Sequence, residues 1–124
     1  MTGTDNRKKL GQLGEDLAVK YLKKHRYKIV TRNYSSRFGE IDIIALKKKQ
    51  LILVEVKTRR SRDFGTPEEA VDNHKIEKIA ATGYLYQKEN KKTPEAIRID
   101  VIAIELTEDD KIKRLEHFKG VGGD

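Results

Sequence analysis

The sequence predicts a mixed α/β domain in which helices cover both faces of a β-sheet. Apolar residues recur at helical spacing over residues 7–25 and again over residues 73–89. Between these segments, two β-rich runs at residues 39–46 and 50–57 are separated by a polar, lysine-rich turn, which predicts a hairpin. Both faces of the hairpin are aliphatic near the turn, a pattern typical of a sheet that is buried on both sides.

Composition is consistent with one compact domain. The chain has 124 residues, 36% of them hydrophobic, and no repeat or long linker divides it. We expect a single domain over residues 7–119, with flexible termini at 1–6 and 120–124. There are no cysteines, which excludes disulfides and thiolate metal sites. Neither a signal peptide nor an apolar run of membrane length is present, so we expect a cytoplasmic protein without membrane contact.

The first helix carries its apolar side chains on one stripe. Gly11 and Gly14 within it each cost about 1 kcal/mol relative to alanine, which indicates a close approach to the sheet or to a ligand. Glu15 lies at the border of the stripe, where a glutamate is more often solvated than catalytic. It becomes a candidate because a third carboxylate could complete a site on the hairpin.

The remaining elements follow in order. A strand is expected over residues 27–34, before the hairpin. After the hairpin, a threonine and a proline followed by two glutamates are typical of a helix start ahead of the main helix. A strand over residues 97–106 and a final edge strand over residues 111–118 complete the sheet.

The open end of the hairpin carries charged residues. A turn centred in the polar loop places Asp42 across from Glu55 and Glu40 across from Lys57, with all four side chains on one face. The opposite face is apolar and consists of Ile41, Ile43, Ala45, Ile52, Val54 and Val56. Two carboxylates about 5 Å apart repel by roughly 3 kcal/mol at an effective dielectric constant near 20. A positive group is therefore expected between them, either Lys57 or a divalent cation.

The ligand chemistry of this end suits a hard cation. Oxygen ligands without cysteine or histidine nearby favour Mg²⁺ or Mn²⁺, which retains waters and takes one or two carboxylates from the protein. An aspartate, a glutamate and a lysine around such an ion can activate water for phosphodiester cleavage. The alternative is an exposed strand end with Glu40 and Lys57 as a surface pair. The convergence of charges among aliphatic residues favours the site.

Charge indicates a polyanionic partner. The formal net charge is +7 and the pI is near 9.5, although a basic surface can also serve solubility alone. Basic loops flank the open end of the hairpin, where their side chains could neutralise phosphates. The candidate nucleic-acid-binding residues are Arg32, Arg37, Arg59, Arg60, Arg62 and Lys75. Lys75, near the start of the main helix, could reach the cleft or simply face water. Phe38 and Phe64 could stack on bases, although anchoring the loops is the favoured role.

Asp100 is a further acid with two possible roles. It lies on the polar end of its strand, as the acids of the hairpin do. It could support the hairpin carboxylates from behind, or it could form an ion pair with Arg98.

Several motifs in order carry a family resemblance. Gly39-Glu40-Ile41-Asp42 followed by Glu55-Val56-Lys57, in the order helix, strand, hairpin, helix, strand, resembles the restriction-endonuclease-like PD-(D/E)XK superfamily. Gly11, Gly14-Glu15, the segment from Gly65 to Val71 and Arg98-Ile99-Asp100-Val101 add a resemblance to the YraN family of bacterial proteins. The resemblance covers about residues 7–106 and implies a restriction-endonuclease-like αβββαβ core, with a mixed sheet and helices on both faces.

The resemblance also implies roles for individual residues. By similarity to archaeal Holliday junction resolvases of the same superfamily, Glu15 matches the carboxylate of the first helix. Asp42 and Glu55 match the metal ligands, and Lys57 matches the catalytic lysine. Ile41 stands where the superfamily motif has a proline, a position at which the motif is loose.

The leading hypothesis is an endonuclease dependent on Mg²⁺ or Mn²⁺ that hydrolyses phosphodiester bonds of DNA, with branched or structured DNA as one option. Asp42 and Glu55 would hold the metal, and Lys57 would orient or help to deprotonate the attacking water. Glu15 and Glu40 would assist. Cleavage of both strands of a junction would require a two-fold homodimer. The alternatives are a non-catalytic nucleic-acid-binding module on the same fold and a protein-interaction domain with a basic surface.

Overall fold

The computed structural model describes the backbone of residues 3–122 and the side chains of residues 6–122. Helix α1 spans Gly3–Lys24, and helix α2 spans Asn73–Glu89 after a single 3-10 turn at Glu68–Ala70. The five strands are β1 (Lys28–Ser36), β2 (Gly39–Lys47), β3 (Gln50–Arg59), β4 (Ala96–Leu106) and β5 (Ile112–Phe118). No helix between residues 3 and 122 is long and apolar enough to span a bilayer.

The strands form one mixed sheet in the order β1-β2-β3-β4-β5. Strands β3 and β4 are parallel, and every other neighbouring pair is antiparallel. A parallel pair needs a crossover connection, and α2 provides it between β3 and β4. Strand β5 is the final edge strand that the sequence predicted. It pairs with β4.

Each face of the sheet is covered by one helix, as predicted. The α1-side core consists of Ala18, Leu22, Tyr27, Ile43, Ala45, Ile52, Val54, Ile102, Ile104 and Leu106. The α2-side core consists of Ile41, Ile44, Leu51, Leu53, Ile79 and Tyr86. Since strands β2, β3 and β4 contribute to burial on both faces, they are aliphatic without the usual alternation of polar residues. The fold is the mixed α/β architecture expected from the sequence.

Glycines allow both helices to lie close to the sheet. A Cβ atom on Gly14 would stand 1.8 Å from Thr58 Oγ1, so α1 could not approach β3 this closely with any other residue there. Gly83 plays the same role for α2, where a Cβ would stand 2.3 Å from Leu53 Cδ1. Gly11 differs, because nothing lies within 4 Å of the position its Cβ would take. Packing against the sheet therefore explains Gly14 but not Gly11.

Helix α1 and the C-terminal segment both extend beyond the predicted domain limits of residues 7 and 119. Helix α1 begins at Gly3 rather than at residue 7, since backbone hydrogen bonds continue past the apolar stripe that marked its start. The predicted tail also makes contacts. Gly120 N–H donates to Asp100 Oδ1 at 3.0 Å, and Val121 N–H donates to Ile99 O at 2.8 Å. Residues 1, 2, 123 and 124 of the predicted termini lie outside the described residues.

The hairpin has the predicted register near its turn but departs from it at the open end. Strands β2 and β3 are paired from Lys47 and Gln50 to Ile43 and Val54. Beyond that point, β2 continues to pair only with β1 across residues 39–41, so Glu40 lies opposite Ser35 and not Lys57. The predicted pairing of Glu40 with Lys57 is therefore wrong.

The predicted face of Ile41 is also wrong. Ile41 packs in the α2-side core, whereas Ile43 packs in the α1-side core. Strict alternation would put both on one face, so β2 is irregular at Asp42, the residue between them. Asn33 of β1, which stands between the partners of Ile41 and Ile43, has a left-handed backbone with φ of 53°. Asparagine tolerates this conformation, and the local irregularity turns the end of β2.

Candidate functional site

Asp42 and Glu55 lie just past the last paired residues of β2 and β3. Asp42 Oδ2 accepts a hydrogen bond from Val56 N–H at 2.8 Å. This bond occupies a main-chain donor of β3 that the ladder no longer uses, and it fixes the carboxylate against that strand. Glu55 is only 7% exposed. The two acids that the sequence predicted as a pair are therefore brought together at the point where the strands separate.

Burial raises the pKa of both acids, and the charge of Asp42 raises that of Glu55 further. For Asp42, burial is the larger cause, and the Val56 N–H bond opposes it. For Glu55, burial and then the charge of Asp42 raise the pKa to about 8, while Lys75 and Lys57 act in the opposite direction. At neutral pH the pair therefore retains a proton that a bound cation would displace.

One oxygen of this pair has no partner. Glu55 Oε1 is buried and accepts no hydrogen bond from the described residues. Two ionised carboxylates cannot donate to each other, so a proton, a water or a cation is needed to satisfy this atom. A buried acceptor left unsatisfied costs about 1–3 kcal/mol. The retained proton relieves this cost at neutral pH, and a cation that displaces the proton would take its place.

Glu15 contributes a third carboxylate from α1. Its side chain is 15% exposed, and Oε1 accepts a hydrogen bond from Arg32 Nη2 at 3.3 Å. Burial and then the charge of Asp42 raise the pKa of Glu15, which places it within electrostatic reach of the hairpin acids. Glu15, which lies at the border of the apolar stripe of α1, is therefore largely shielded from water and lies near Asp42. We call Glu15, Asp42 and Glu55 the carboxylate site.

Two lysines neighbour the carboxylate site. Lys57 follows Glu55 by two residues on β3, is half-buried, and forms no salt bridge with any side chain of residues 6–122. Lys75 lies in the first turn of α2, where its N–H donates to the capping residue Asp72 at 2.9 Å. Lys75 Nζ stands 3.7 Å from Glu55 Oε2. The sequence predicted that Lys75 could reach the cleft, but its contact with Glu55 depends on the crossing of α2 over β3.

Within residues 6–122, Glu40, Arg32 and Arg60 make their side-chain contacts outside the Asp42–Glu55 pair. Glu40 is exposed and accepts a hydrogen bond from Ser35 Oγ at 3.2 Å, and its charge acts on the pKa of Asp42 more weakly than burial does. Arg32 also contacts Asp16 at 2.7 Å. Arg60 is bound by Asp110 at 2.6 Å.

The remaining basic candidates have different surroundings. Arg62 makes a two-pronged contact with Glu105 at 2.7 and 2.8 Å, which also binds Arg114. The guanidinium of Arg37 lies 4.9 Å from the ring centre of Phe38. Arg59 Nε is buried and has no hydrogen-bond partner within the described part of the chain. Of the six basic residues predicted to bind nucleic acid, Arg32 and Lys75 thus contact the carboxylate site, Arg32 through Glu15 and Lys75 through Glu55.

Asp100 has a structural role on the other face of the sheet. It is fully buried and accepts hydrogen bonds from Arg98 Nε at 2.9 Å and Arg98 Nη2 at 2.8 Å. His117 Nε2 lies 2.7 Å from Asp100 Oδ2, and Arg98 also donates to Tyr27 of the α1-side core. Burial alone would raise the pKa of Asp100, but the contacts with His117 and Arg98 outweigh it and lower the pKa. Of the two predicted roles, the ion pair with Arg98 is the one found.

The donor set fits a divalent cation that takes few protein ligands. No three acidic or histidine side chains among residues 6–122 converge into a complete ligand set. Asp42, Glu55 and the carbonyl of Val56 offer hard oxygen donors, and Mg²⁺ commonly takes one or two carboxylates and keeps several waters. The unpartnered Glu55 Oε1 is the specific observation that agrees with such a ligand.

Comparison with known proteins identifies the family. The model of "Uncharacterised protein family UPF0102" matches residues 14–104, which includes all three members of the carboxylate site. The chain belongs to the UPF0102 family. This membership confirms the resemblance that the motifs indicated.

Several UPF0102 proteins are similar along most of their length. One from Syntrophomonas wolfei is 45% identical over 86% of this chain and 91% of its own. One from Dictyoglomus thermophilum is 44% identical over 91% of this chain and 96% of its own. One from Caldanaerobacter subterraneus is 45% identical over 82% of this chain and 83% of its own. Each of these relatives therefore aligns with more than four fifths of this chain.

The raised pKa of Glu55 predicts that this UPF0102 protein, free of metal, loses stability between about pH 5 and pH 8. In that range the folded state holds a proton that the unfolded state has released, because the pKa rises from 4.5 to about 8 on folding. The free energy of unfolding should fall by an amount on the order of 2 kcal/mol. Urea denaturation in EDTA at both ends of the range measures it. The variant Glu55→Gln should show a flatter profile, and an equally steep decline in that variant would contradict the assignment.

Proposed function

We propose that this protein is a metal-dependent endonuclease that hydrolyses phosphodiester bonds of DNA. The observation that carries the proposal is the pair Asp42 and Glu55, buried together with raised pKa values where β2 and β3 separate. Burying two like charges is costly, and a protein retains such an arrangement when a cation offsets it. Glu15, Lys57 and Lys75 around the pair supply further groups that a hydrolytic site needs.

The residues of the carboxylate site and the two neighbouring lysines would have separate roles in hydrolysis. Asp42 and Glu55, with the carbonyl of Val56, would hold Mg²⁺ or Mn²⁺. When bound, the ion lowers the pKa of water and offsets the charge of the phosphate. Asp42 keeps its orientation through the Val56 N–H bond. Lys57 would orient the attacking water and balance charge that develops on the phosphate oxygens. Lys75 partly neutralises Glu55 while no cation is present, since its ammonium group lies 3.7 Å away.

The charge of the surface supports a nucleic-acid substrate. The net charge of +7 attracts a polyanion, and arginine contacts with phosphates give affinity without reading sequence. The proposed substrates include branched or structured DNA. Symmetric cleavage of a junction would require a homodimer that presents two carboxylate sites.

A cleavage assay tests the proposal. Purified protein is incubated with duplex, single-stranded and branched DNA in Mg²⁺, in Mn²⁺ and in EDTA. We expect cleavage that depends on the metal and that falls at least about 10²-fold in Asp42→Asn, which retains the shape of the side chain but removes its charge. The exposed acid Asp109, changed to asparagine, is the matched control and should cut at the wild-type rate.

Two results would contradict the proposal. DNA binding without cleavage by the wild type in either metal would favour a non-catalytic nucleic-acid-binding module. Negligible binding at low salt, with no loss of signal as salt rises, would favour a protein-interaction domain instead.

A further inference from the structure

A cavity of about 350 Å³ adjoins the carboxylate site. It lies between α1 and the end of β3, under the loop that follows β3. Its lining includes Leu10, Gly11, Val56, Lys57, Arg59 and Phe64. The volume is within the range of ligand-binding clefts. Every charged residue in the lining is an arginine or a lysine, so the cavity combines an apolar floor with a cationic rim.

The cavity and the carboxylate site share one ridge of α1. Arg7, Gly11 and Glu15 are spaced four residues apart and therefore lie above one another on the helix surface. Arg7 and Gly11 line the cavity, and Glu15 belongs to the carboxylate site. The separation along the helix between Gly11 and Glu15 is about 6 Å. A strand whose phosphate sits at the carboxylates would thus place its neighbouring nucleotide at the cavity.

Lys57 connects the two regions from the sheet side. It lines the cavity, and its charge also lowers the pKa of Glu55. Val56 also lines the cavity, and its N–H donates to Asp42 Oδ2 at 2.8 Å, so the cavity borders the carboxylate site.

Gly11 is a glycine that packing does not require. It lies inside a helix, where glycine costs about 1 kcal/mol relative to alanine. Space around its missing Cβ is open to at least 4 Å, and the residue lines the cavity. A larger side chain there would fill the cavity mouth without meeting the sheet. The glycine therefore keeps the cavity accessible.

Two further groups lack the partners that a ligand would provide. Phe64 is 87% exposed, although it is a large aromatic residue. Arg59 Nε is buried without a hydrogen-bond partner among the described residues. An aromatic ring offers a surface on which a base can stack, and a guanidinium is a strong donor to phosphate. Both residues line the cavity, so a nucleotide there presents its base to the ring and its phosphate to the guanidinium.

Building on the proposed nuclease function, we propose that this cavity holds one unpaired nucleotide of the DNA strand beside the cleaved bond. Its base stacks on Phe64, and a phosphate of the strand contacts Arg59. A base inside a regular duplex is stacked and paired, so it cannot enter the cavity without being extruded. The preferred substrate class is therefore DNA with an unpaired stretch next to the cut, such as a fork, a flap or a single strand.

The experiment compares two cavity variants with a matched control. Gly11→Leu fills the cavity mouth, and Phe64→Ala removes the stacking surface. The control, Gln12→Leu, introduces the same leucine at the next residue, on the exposed surface of α1. Each is measured with forked DNA carrying 2-aminopurine at a single unpaired position, in Ca²⁺ so that binding is read without cleavage. Gly11→Leu should melt at or above the wild-type temperature, because leucine favours the helix.

We expect stacking to quench 2-aminopurine in the wild type and in Gln12→Leu but not in the two cavity variants. In Mg²⁺, the cavity variants should cut forked DNA about 10- to 100-fold more slowly. Their cutting of fully paired DNA should change little. Undiminished quenching in both cavity variants would overturn the inference, as would an equal loss of cleavage on paired and forked DNA. Quenching lost in the cavity variants of a protein that cuts no substrate would support the cavity and refute the nuclease function.

Discussion

Replacing Lys57 with alanine should lower the rate of DNA cleavage by about 10²- to 10⁴-fold and leave the fold intact. Lys57 is half-buried, close to Glu55, and free of any salt bridge with the described side chains, so its ammonium group is available to water and phosphate. Lys57→Arg retains the charge but changes the shape and the proton affinity of the donor. It should recover DNA binding more than it recovers cleavage.

The neighbouring lysine provides the control for Lys57. Lys75 Nζ contacts Glu55 at 3.7 Å, so Lys75→Ala should act mainly by raising the pKa of Glu55 further. Its cleavage rate should therefore recover as pH rises, whereas that of Lys57→Ala should not. Single-turnover rates across a range of pH separate the two cases. Cleavage by Lys57→Ala within about threefold of the wild type would exclude a catalytic role for this residue.

The variant Asp100→Ala should destabilise the protein by about 3–5 kcal/mol. Asp100 is fully buried and serves as the common acceptor for Arg98, His117 and the N–H of Gly120. Removing it takes away the acceptor of the Gly120 N–H and the only carboxylate, among the described residues, that pairs with the partly buried Arg98. It also leaves one ring nitrogen of His117 without its partner. Because a domain of this size is typically stable by about 5–15 kcal/mol, this loss is a large part of the total.

Urea denaturation compares Asp100→Ala with Asp110→Asn. Asp110 forms an exposed ion pair with Arg60 and has a left-handed backbone that asparagine tolerates, so removing its charge should cost less than about 1 kcal/mol. Asp100 lies on the α1 side of the sheet and Glu55 contacts α2, so the folded fraction of Asp100→Ala should retain metal-dependent cleavage. Similar stability losses in the two variants would show that the buried cluster contributes little.

Local pattern was sufficient to predict the sheet and its coverage by helices. The two-residue alternation of the hairpin and the position of its turn fix the register from Ile43 to Lys47. Because those rules are local, they also identified Asp42 and Glu55 as a pair at the open end. The aliphatic residues on both faces predicted a helix on each side, and both helices are present.

Features set by contacts between distant segments could not be predicted in this way. The β2–β3 ladder ends at Ile43 and Val54, and Asn33 of β1 has a left-handed backbone beside this point; a periodic rule predicts neither feature. Lys75 reaches Glu55 because the crossover helix passes over β3. The partner of Arg62 is Glu105, 43 residues away, so a basic loop that suggested phosphate contacts is in part held by the protein's own acids.

Strands β2 and β3 separate beyond the Ile43–Val54 pair, on the side away from the turn, and the reactive groups lie in the gap between them. Asp42 is held by a main-chain N–H of the adjacent strand, and Glu55 and Lys57 belong to that same strand. The entropy of arranging these groups is therefore lost when the chain folds and not when substrate arrives. A gap between diverging strands that is lined in this manner needs no lid and no hinge to assemble its reactive groups.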